Sequence, residues 1–300
     1  MLPVRDGVGA SQVSLPAGRW TCLLDFLVER FPAISAAEWV SRIESGDVVD
    51  AAGRVVTPRQ AYVPHGKLYY YRTVAHEAPN AAQASILFED ELLVVADKPH
   101  FLPVTPSGRY LQETLLVRLR RQLGMPALTP LHRLDRETAG VVLFAKAPAI
   151  RAGYQALFAG RKVAKHYQAI APLDTRLQFP LTRTSHLVTS DHFMQMREAQ
   201  VAAGAQPNAQ TEIELIETRG PWARYRLCPA TGKRHQLRVH MLALGLPIVG
   251  DRIYPDLMGP GEDERANPLR LLAESIAFRD PVSGEERRFA SQRQLHFPAG

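Results

Sequence analysis

Cysteine is nearly absent. Cys22 and Cys228 are the two in 300 residues, too few for a disulfide framework and in keeping with a reducing compartment. Long apolar runs are missing as well: Leu92-Leu93-Val94-Val95-Ala96 is typical of the longest, far short of the ~18 residues a membrane helix needs. The start, Met1-Leu-Pro-Val-Arg-Asp-Gly7, has no charged segment leading into an apolar stretch, so no secretory signal is expected. Together these absences predict a cytoplasmic chain with no membrane partner. Several short motifs are lacking too: no G-x-x-x-x-G-K-[ST], no G-x-G-x-x-G after a strand, no H-E-x-x-H and no G-x-S-x-G. The usual phosphate-loop, dinucleotide, zinc-protease and serine-hydrolase sites are thereby set aside. A zinc site from Cys228, His235 and His240 is disfavoured, because a five-residue spacing does not bring both imidazoles to one helical face.

What remains is an ordinary globular composition, 46% hydrophobic and 22% charged, which excludes wholesale disorder. At about 150 residues per domain, the length suggests two domains. Lys and Arg number 36 against 30 Asp and Glu, a net charge of +6. That excess suits a polyanionic partner without requiring one.

Residues 1–19 show no periodicity and read as a loose leader. Thr21 is placed to cap a helix carrying Leu23, Leu24, Leu27 and Phe31, which Pro32 stops. Ser35 and Glu38 have capping-box spacing ahead of a second helix with Trp39, Val40 and Ile43, ending at Gly46. A hairpin over 48–56 and a strand at Leu68–Tyr71 complete a small module over 20–72, followed by a linker at 73–84. Beyond it lie strands around Ile86–Phe88, Leu92–Ala96, Gly140–Ala145, Val163–Ile170, Thr211–Glu217 and Ala223–Cys228. Helices are expected near 115–123 and 148–160, and from Arg234 to Leu244, with Thr231 available as a cap. Residues 198–210 read as a flexible loop. Strands and helices alternate irregularly, which favours an α+β fold over a doubly wound parallel sheet.

Two clusters can carry chemistry. His132-Arg133-Leu-Asp135-Arg136-Glu137-Thr138 forms a polar turn ahead of an apolar strand. Flanking arginines keep Asp135 ionised, as a nucleophile requires; an Asp that merely caps local backbone amides is the plainer reading. The second cluster, Thr231-Gly-Lys233-Arg234-His235-Gln-Leu-Arg238-Val-His240, crowds cations onto the first turns of a helix. The macrodipole opposes that placement, so either a bound phosphate, a buried carboxylate or a solvated basic face must account for it. Between them, Lys165 and Tyr167 share one face of a strand, where a tyrosine most often serves packing.

In this order, the strings His132-Arg-Leu-Asp135, Lys165-x-Tyr167-x-Ala169 and Thr231-Gly-Lys-x-His235-Gln-Leu-Arg238-x-His240 resemble the RluA family of RNA pseudouridine synthases. Glu89-Asp90 through Lys98-Pro99, Ala209-x-Thr211 and Leu246-Pro-Ile-Val-Gly-Asp251-x-x-Tyr254 extend the resemblance over about residues 85–290. It implies a mixed, largely antiparallel sheet with flanking helices over 85–300. The 20–72 module is weakly similar to the S-four-like RNA-binding domain that precedes many such catalytic domains. The implied reaction turns uridines of ribosomal or transfer RNA into pseudouridine, without cofactor, nucleotide or metal, in a chain expected to be monomeric. Asp135 would be the nucleophile, Tyr167 would stack on the uracil and is a candidate general base, and Arg238 would aim the carboxylate. Arg133 would fill the space left by the flipped nucleotide, and His132, Arg136, Lys165, Lys233 and Arg234 would contact RNA. Ala139 and the run Leu271-Leu-Ala273 depart from the family pattern, which commonly has Ser and Leu-His-Ala there. Two alternatives compete with this reading. A non-catalytic RNA-binding or ribosome assembly factor would have no reason to retain Asp135, Tyr167 and Arg238 together. A glycoside hydrolase pairing Asp135 with Glu137 lacks any fixed carboxyl separation of ~5–9 Å in so short a turn.

Overall fold

The computed structural model describes residues 2–74, 76–200, 206–258 and 265–298. The chain forms two compact units: one from residues 1–78, 106–113 and 117–126, the other from 79–105, 114–116 and 127–300. The expected linker at 73–84 is thus divided between them, and the first unit gains two segments distant in sequence.

In the first unit, strand β1 (Ser11–Ser14) is followed by helices α1 (Leu23–Arg30) and α2 (Ala36–Glu44) and strands β2 (Val48–Asp50) and β3 (Lys67–Tyr70). The sheet runs β1-β3-β2, antiparallel throughout. The leader is therefore not loose between 11 and 14. Of those four residues only Val13 is apolar and buried, so no two-residue alternation announces the strand. Helix α2 starts as expected, with the Ser35 hydroxyl accepting the Glu38 amide at 3.2 Å. Helix α1 begins one residue later than Thr21 suggested: Cys22 holds the cap position, because Asp25 reaches back to accept the Cys22 amide at 3.2 Å. Phe26, Leu27, Trp39, Ile43, Val48 and Leu68 fill the core. Each fully buried aliphatic there is worth roughly 1.5–3 kcal/mol. Aromatic contacts such as Trp20–Phe26 at 5.0 Å and Phe31–Trp39 at 5.5 Å knit its rim.

The second unit comprises β4 (Ser85–Glu89), β5 (Leu93–Lys98), the start of α3 (Leu115–Leu123), β6 (Thr129–Pro130), β7 (Ala139–Ala145), α4 (Arg151–Ala159), β8 (Val163–Pro172) and β9 (Leu181–Ser185). It continues through β10 (Leu187–Thr189), β11 (Met196–Glu198), β12 (Ala209–Arg219), β13 (Trp222–Pro229), α5 (Gln236–Ala243), β14 (Leu271–Arg279) and β15 (Glu286–Ala290). Residues 201–205 of the expected loop lie outside the described residues. Among the described residues the main sheet has ten strands, ordered β4-β5-β7-β14-β8-β13-β12-β9, with β15 on β14 and β6 on β7. Neighbours run antiparallel except β14 and β7, which pair in parallel at Leu272–Ala139 and Ala273–Gly140. The fold is α+β with a mixed, largely antiparallel sheet.

That short parallel contact depends on Gly140. Its φ is 117°, and a Cβ there would lie 2.2 Å from the Ala273 carbonyl oxygen, so no side chain fits. Helix α4 places Tyr154 and Leu157 over Val95, Leu143 and Ile276. Helix α5 sets Leu237 and Met241 against Ile213, Tyr225 and Leu227. These layers bring the turn that feeds β7 and the start of α5 to one place.

Candidate active site

Asp135 sits in the turn before β7, closed by the Thr138 amide donating to the Asp135 carbonyl at 3.2 Å. From the first turn of α5, Arg238 donates through Nη1 to Asp135 Oδ2 at 3.3 Å. The partners differ in burial: the Asp135 side chain is 27% exposed, that of Arg238 1%. A guanidinium so deeply buried needs compensation, and Asp251 supplies it. Its two carboxylate oxygens accept from Arg238 Nε at 2.8 Å and Nη2 at 2.6 Å, a bidentate pair that fixes the plane of the guanidinium. Asp251 Oδ1 also accepts the Ile253 and Tyr254 amides, and Glu137 lies 3.9 Å from Arg238 Nη1. Burial alone would lower the Arg238 pKa, yet the hydrogen bonds to Asp251 and the charges of Asp251, Asp135 and Glu137 outweigh it and raise it. Gly250, just before Asp251, lets the chain pass close to its neighbour: at φ 77° a Cβ would come within 2.4 Å of the Pro268 carbonyl oxygen.

Of the cations crowded at α5, Arg238 is thus explained by a buried carboxylate, one of the readings open from sequence. The helix itself begins two residues later than expected, at Gln236. His235, at φ 54°, turns the chain into it. Thr231 caps nothing directly; its hydroxyl donates to Gln236 Oε1 at 2.7 Å, which also accepts the Lys233 amide at 3.0 Å. The Gln236 side chain thereby takes over the task expected of Thr231.

Beneath the turn lies Lys98, with no exposed surface. Its ammonium donates to the carbonyls of Leu102 at 2.8 Å, Pro99 at 3.0 Å and Arg136 at 3.1 Å. Burial lowers its pKa to about 7, against the opposing pull of Glu137 and Asp135. Tyr167 projects from the centre of β8, in register with Leu227 on one side and Ala273 on the other. Burial, then the charge of Asp135, pushes its phenol well above the ordinary range, so the ring stays neutral.

The other anticipated residues divide by what they touch. Arg133 and Lys233 are exposed. Arg136 pairs with Glu137 at 3.0 Å and lies over the Phe101 ring. Lys165 donates to the Thr231 carbonyl at 3.0 Å, and Arg234 to the Phe193 and Met194 carbonyls at 2.8 and 3.0 Å. His132 differs from expectation. Its Nε2 accepts the Leu143 amide at 3.1 Å and its ring packs on Phe158, while burial, then the charge of Lys165, lowers its pKa to about 4. It braces β7 from within the protein. His240 is similarly occupied, between Thr211 at 2.9 Å and Ser185 at 3.0 Å. Asp251, Lys98 and Tyr254 received no role from sequence, and His235 and Glu137 entered only through the disfavoured zinc and glycosidase readings. The prior signals were the cations opposing the α5 dipole, which called for an anion somewhere, and the strings of the resemblance that contain Lys98, His235, Asp251 and Tyr254.

A sequence profile of the RNA pseudouridylate synthase family matches residues 92–243. The chain is 36% identical over 218 residues to the tRNA pseudouridine synthase C of Vibrio vulnificus, covering 67% of this chain and 87% of that one. It is 30% identical over 220 residues to the dual-specificity RNA pseudouridine synthase RluA of Pasteurella multocida, covering 73% and 97%. Human RNA pseudouridylate synthase domain containing 1 shares the fold with a TM-score of 0.57, at 23% identity over 73% of this chain and 86% of that one.

Proposed function

The chain belongs to the RluA family of RNA pseudouridine synthases, and we propose that Asp135 is the nucleophile with which this isomerase acts on uridines of ribosomal or transfer RNA. The observation that carries the reading is the pairing of a partly exposed carboxylate with a guanidinium that is itself locked by a second, buried carboxylate. Such a carboxylate keeps its direction, and orientation of this kind can supply a large share of a barrier reduction.

A uridine stacked in an RNA helix is out of reach of a fixed side chain, so the nucleotide must be flipped out. Stacking on an aromatic ring returns roughly 1–3 kcal/mol per base, and the Tyr167 ring is available for it. A phenol held protonated by burial and by the Asp135 charge favours this stacking role over proton abstraction. Arg133, exposed beside the nucleophile, is suited to fill the gap left in the RNA stack. Lys233 offers an exposed cation for phosphates. Arg136, Lys165 and Arg234 act on RNA through the loops they brace, and His132 supports β7. The small unit over 20–72 binds RNA in this reading, the chain works as a monomer, and no metal, nucleotide or redox carrier is needed. Among the described residues no helix is long and apolar enough to cross a membrane.

Asp135→Asn is expected to abolish pseudouridine formation, a loss of about a thousandfold or more, with RNA affinity within about tenfold, or ~1.4 kcal/mol. Uridine-labelled bulk RNA incubated with each protein and digested to nucleosides reads this directly. Full activity in the variant would remove Asp135 from the mechanism. Pseudouridine mapping in RNA from cells lacking the protein identifies the target.

A further inference from the structure

We infer that His235 is a positioning residue for Asp135: Tyr254 holds its imidazole with the proton on Nε2, which shares carboxylate oxygen Oδ2 with Arg238 and leaves Oδ1 as the attacking oxygen. This rests on the reading of Asp135 as nucleophile.

The geometry runs outward from Met196. Its amide donates to the Tyr254 hydroxyl oxygen at 2.7 Å. A backbone amide can only donate, so the phenol oxygen is the acceptor there and its own proton is free to point elsewhere. His235 Nδ1 lies 2.9 Å from that oxygen. With Nδ1 accepting, the single proton of a neutral imidazole resides on Nε2, which faces Asp135 Oδ2 at 3.8 Å. Arg238 Nη1 approaches the same oxygen at 3.3 Å. Both donors thus converge on Oδ2 from the start of α5. The His235 gap is longer than a formed hydrogen bond, and catalytic contacts commonly tighten once substrate fills a site.

The His235 backbone both turns the chain into α5 and aims the ring. A left-handed φ of 54° is uncommon for a residue with a side chain, and such strain persists where surroundings enforce it. The side chain is 6% exposed. The groups that face it are Asp135, Asp251, Arg238, Arg234 and Tyr254. Burial weakens its hold on a second proton, with Asp135 acting in the opposite sense. A second proton on Nδ1 would also displace the Tyr254 hydroxyl hydrogen.

The test uses the full chain labelled with 15N-histidine. Long-range 1H–15N spectra at neutral pH, with His235 assigned by its absence in His235→Gln, are expected to show the Nε2–H tautomer. In Tyr254→Phe the tautomer balance should shift and the acidic limb of the kcat–pH profile should move. There kcat should fall about ten- to a hundredfold, the usual cost of losing a supporting contact, with KM nearly constant. His235→Gln, whose amide can still point N–H at Oδ2, should retain more activity than His235→Leu. A wild-type Nδ1–H tautomer would overturn the proposal, as would unchanged kcat and pH profile in Tyr254→Phe. If His235→Leu fails to fold, the wild-type tautomer still decides. Failure of the Asp135 reading is distinguishable: Asp135→Asn would then stay active whatever the tautomer.

Discussion

The two units differ in how completely they enclose paired charges. In the first, each ion pair keeps contact with solvent: Arg54 beside Asp50 is 80% exposed, and the nearly buried Arg42 pairs with a half-exposed Glu38. Its interior is built on Trp39, Phe26 and their apolar neighbours, with the Arg42 guanidinium lying over the Trp39 ring. In the second, Arg238 and Asp251 are almost wholly enclosed and Lys98 is entirely so. Exposed pairs contribute little to stability, typically below about 1 kcal/mol. An enclosed cluster is costly to assemble and costly to break. The contrast separates a region built for stability from one where stability is given up to hold a carboxylate in place.

The most severe way to break that contrast is Asp251→Asn. It removes the charge opposite a buried guanidinium, at a cost of about 3–5 kcal/mol, and frees Arg238 from its plane. Denaturant unfolding should show that loss together with a collapse in kcat; a variant with normal kcat would deny Asp251 its part in aiming the site. Trp39→Ala should cost the first unit a similar ~3–5 kcal/mol through its cavity, yet turnover at saturating RNA should survive. Loss of kcat in a folded Trp39→Ala protein would erase the division of labour.

A pH series sharpens the comparison further. His132 titrates near 4 when folded and near 6.5 when unfolded, so the folded state binds fewer protons between those values. Its contribution is present above pH 6.5 and is lost as pH falls through about 4. Thermal melts across that window should decline with acid, and His132→Gln should flatten part of the slope. An identical slope would place the acid sensitivity elsewhere. The smallest effect is expected from Ser35→Ala, which removes one cap for ~1 kcal/mol and should leave activity unchanged.

Much of the scaffold was legible because its signals are local. Ser35 and Glu38 announce α2, and the apolar run 140–145 announces β7. What escaped depended on distant partners or missing repetition. Strand β1 shows only Val13 to its core. A reading along the chain draws contiguous boundaries, so it could not assign 106–113 and 117–126 to the first unit. The start of α5 was missed because a left-handed His235 looks helical in sequence. Asp135 and Arg238 stand 103 residues apart; local chemistry left each with an ordinary alternative, and the family resemblance joined them. Lys98 was concealed differently, since a lysine ending an apolar strand normally reaches solvent.

That lysine makes a reporter of the molecule's breathing. An amine roofed by three carbonyls is shielded from acylating reagents while the Asp135 turn stays shut, so the rate at which Lys98 becomes labelled would time the turn's excursions. An RNA that seats the turn should slow that clock, and a mutation that loosens it should speed it up, with no need to follow the isomerisation itself.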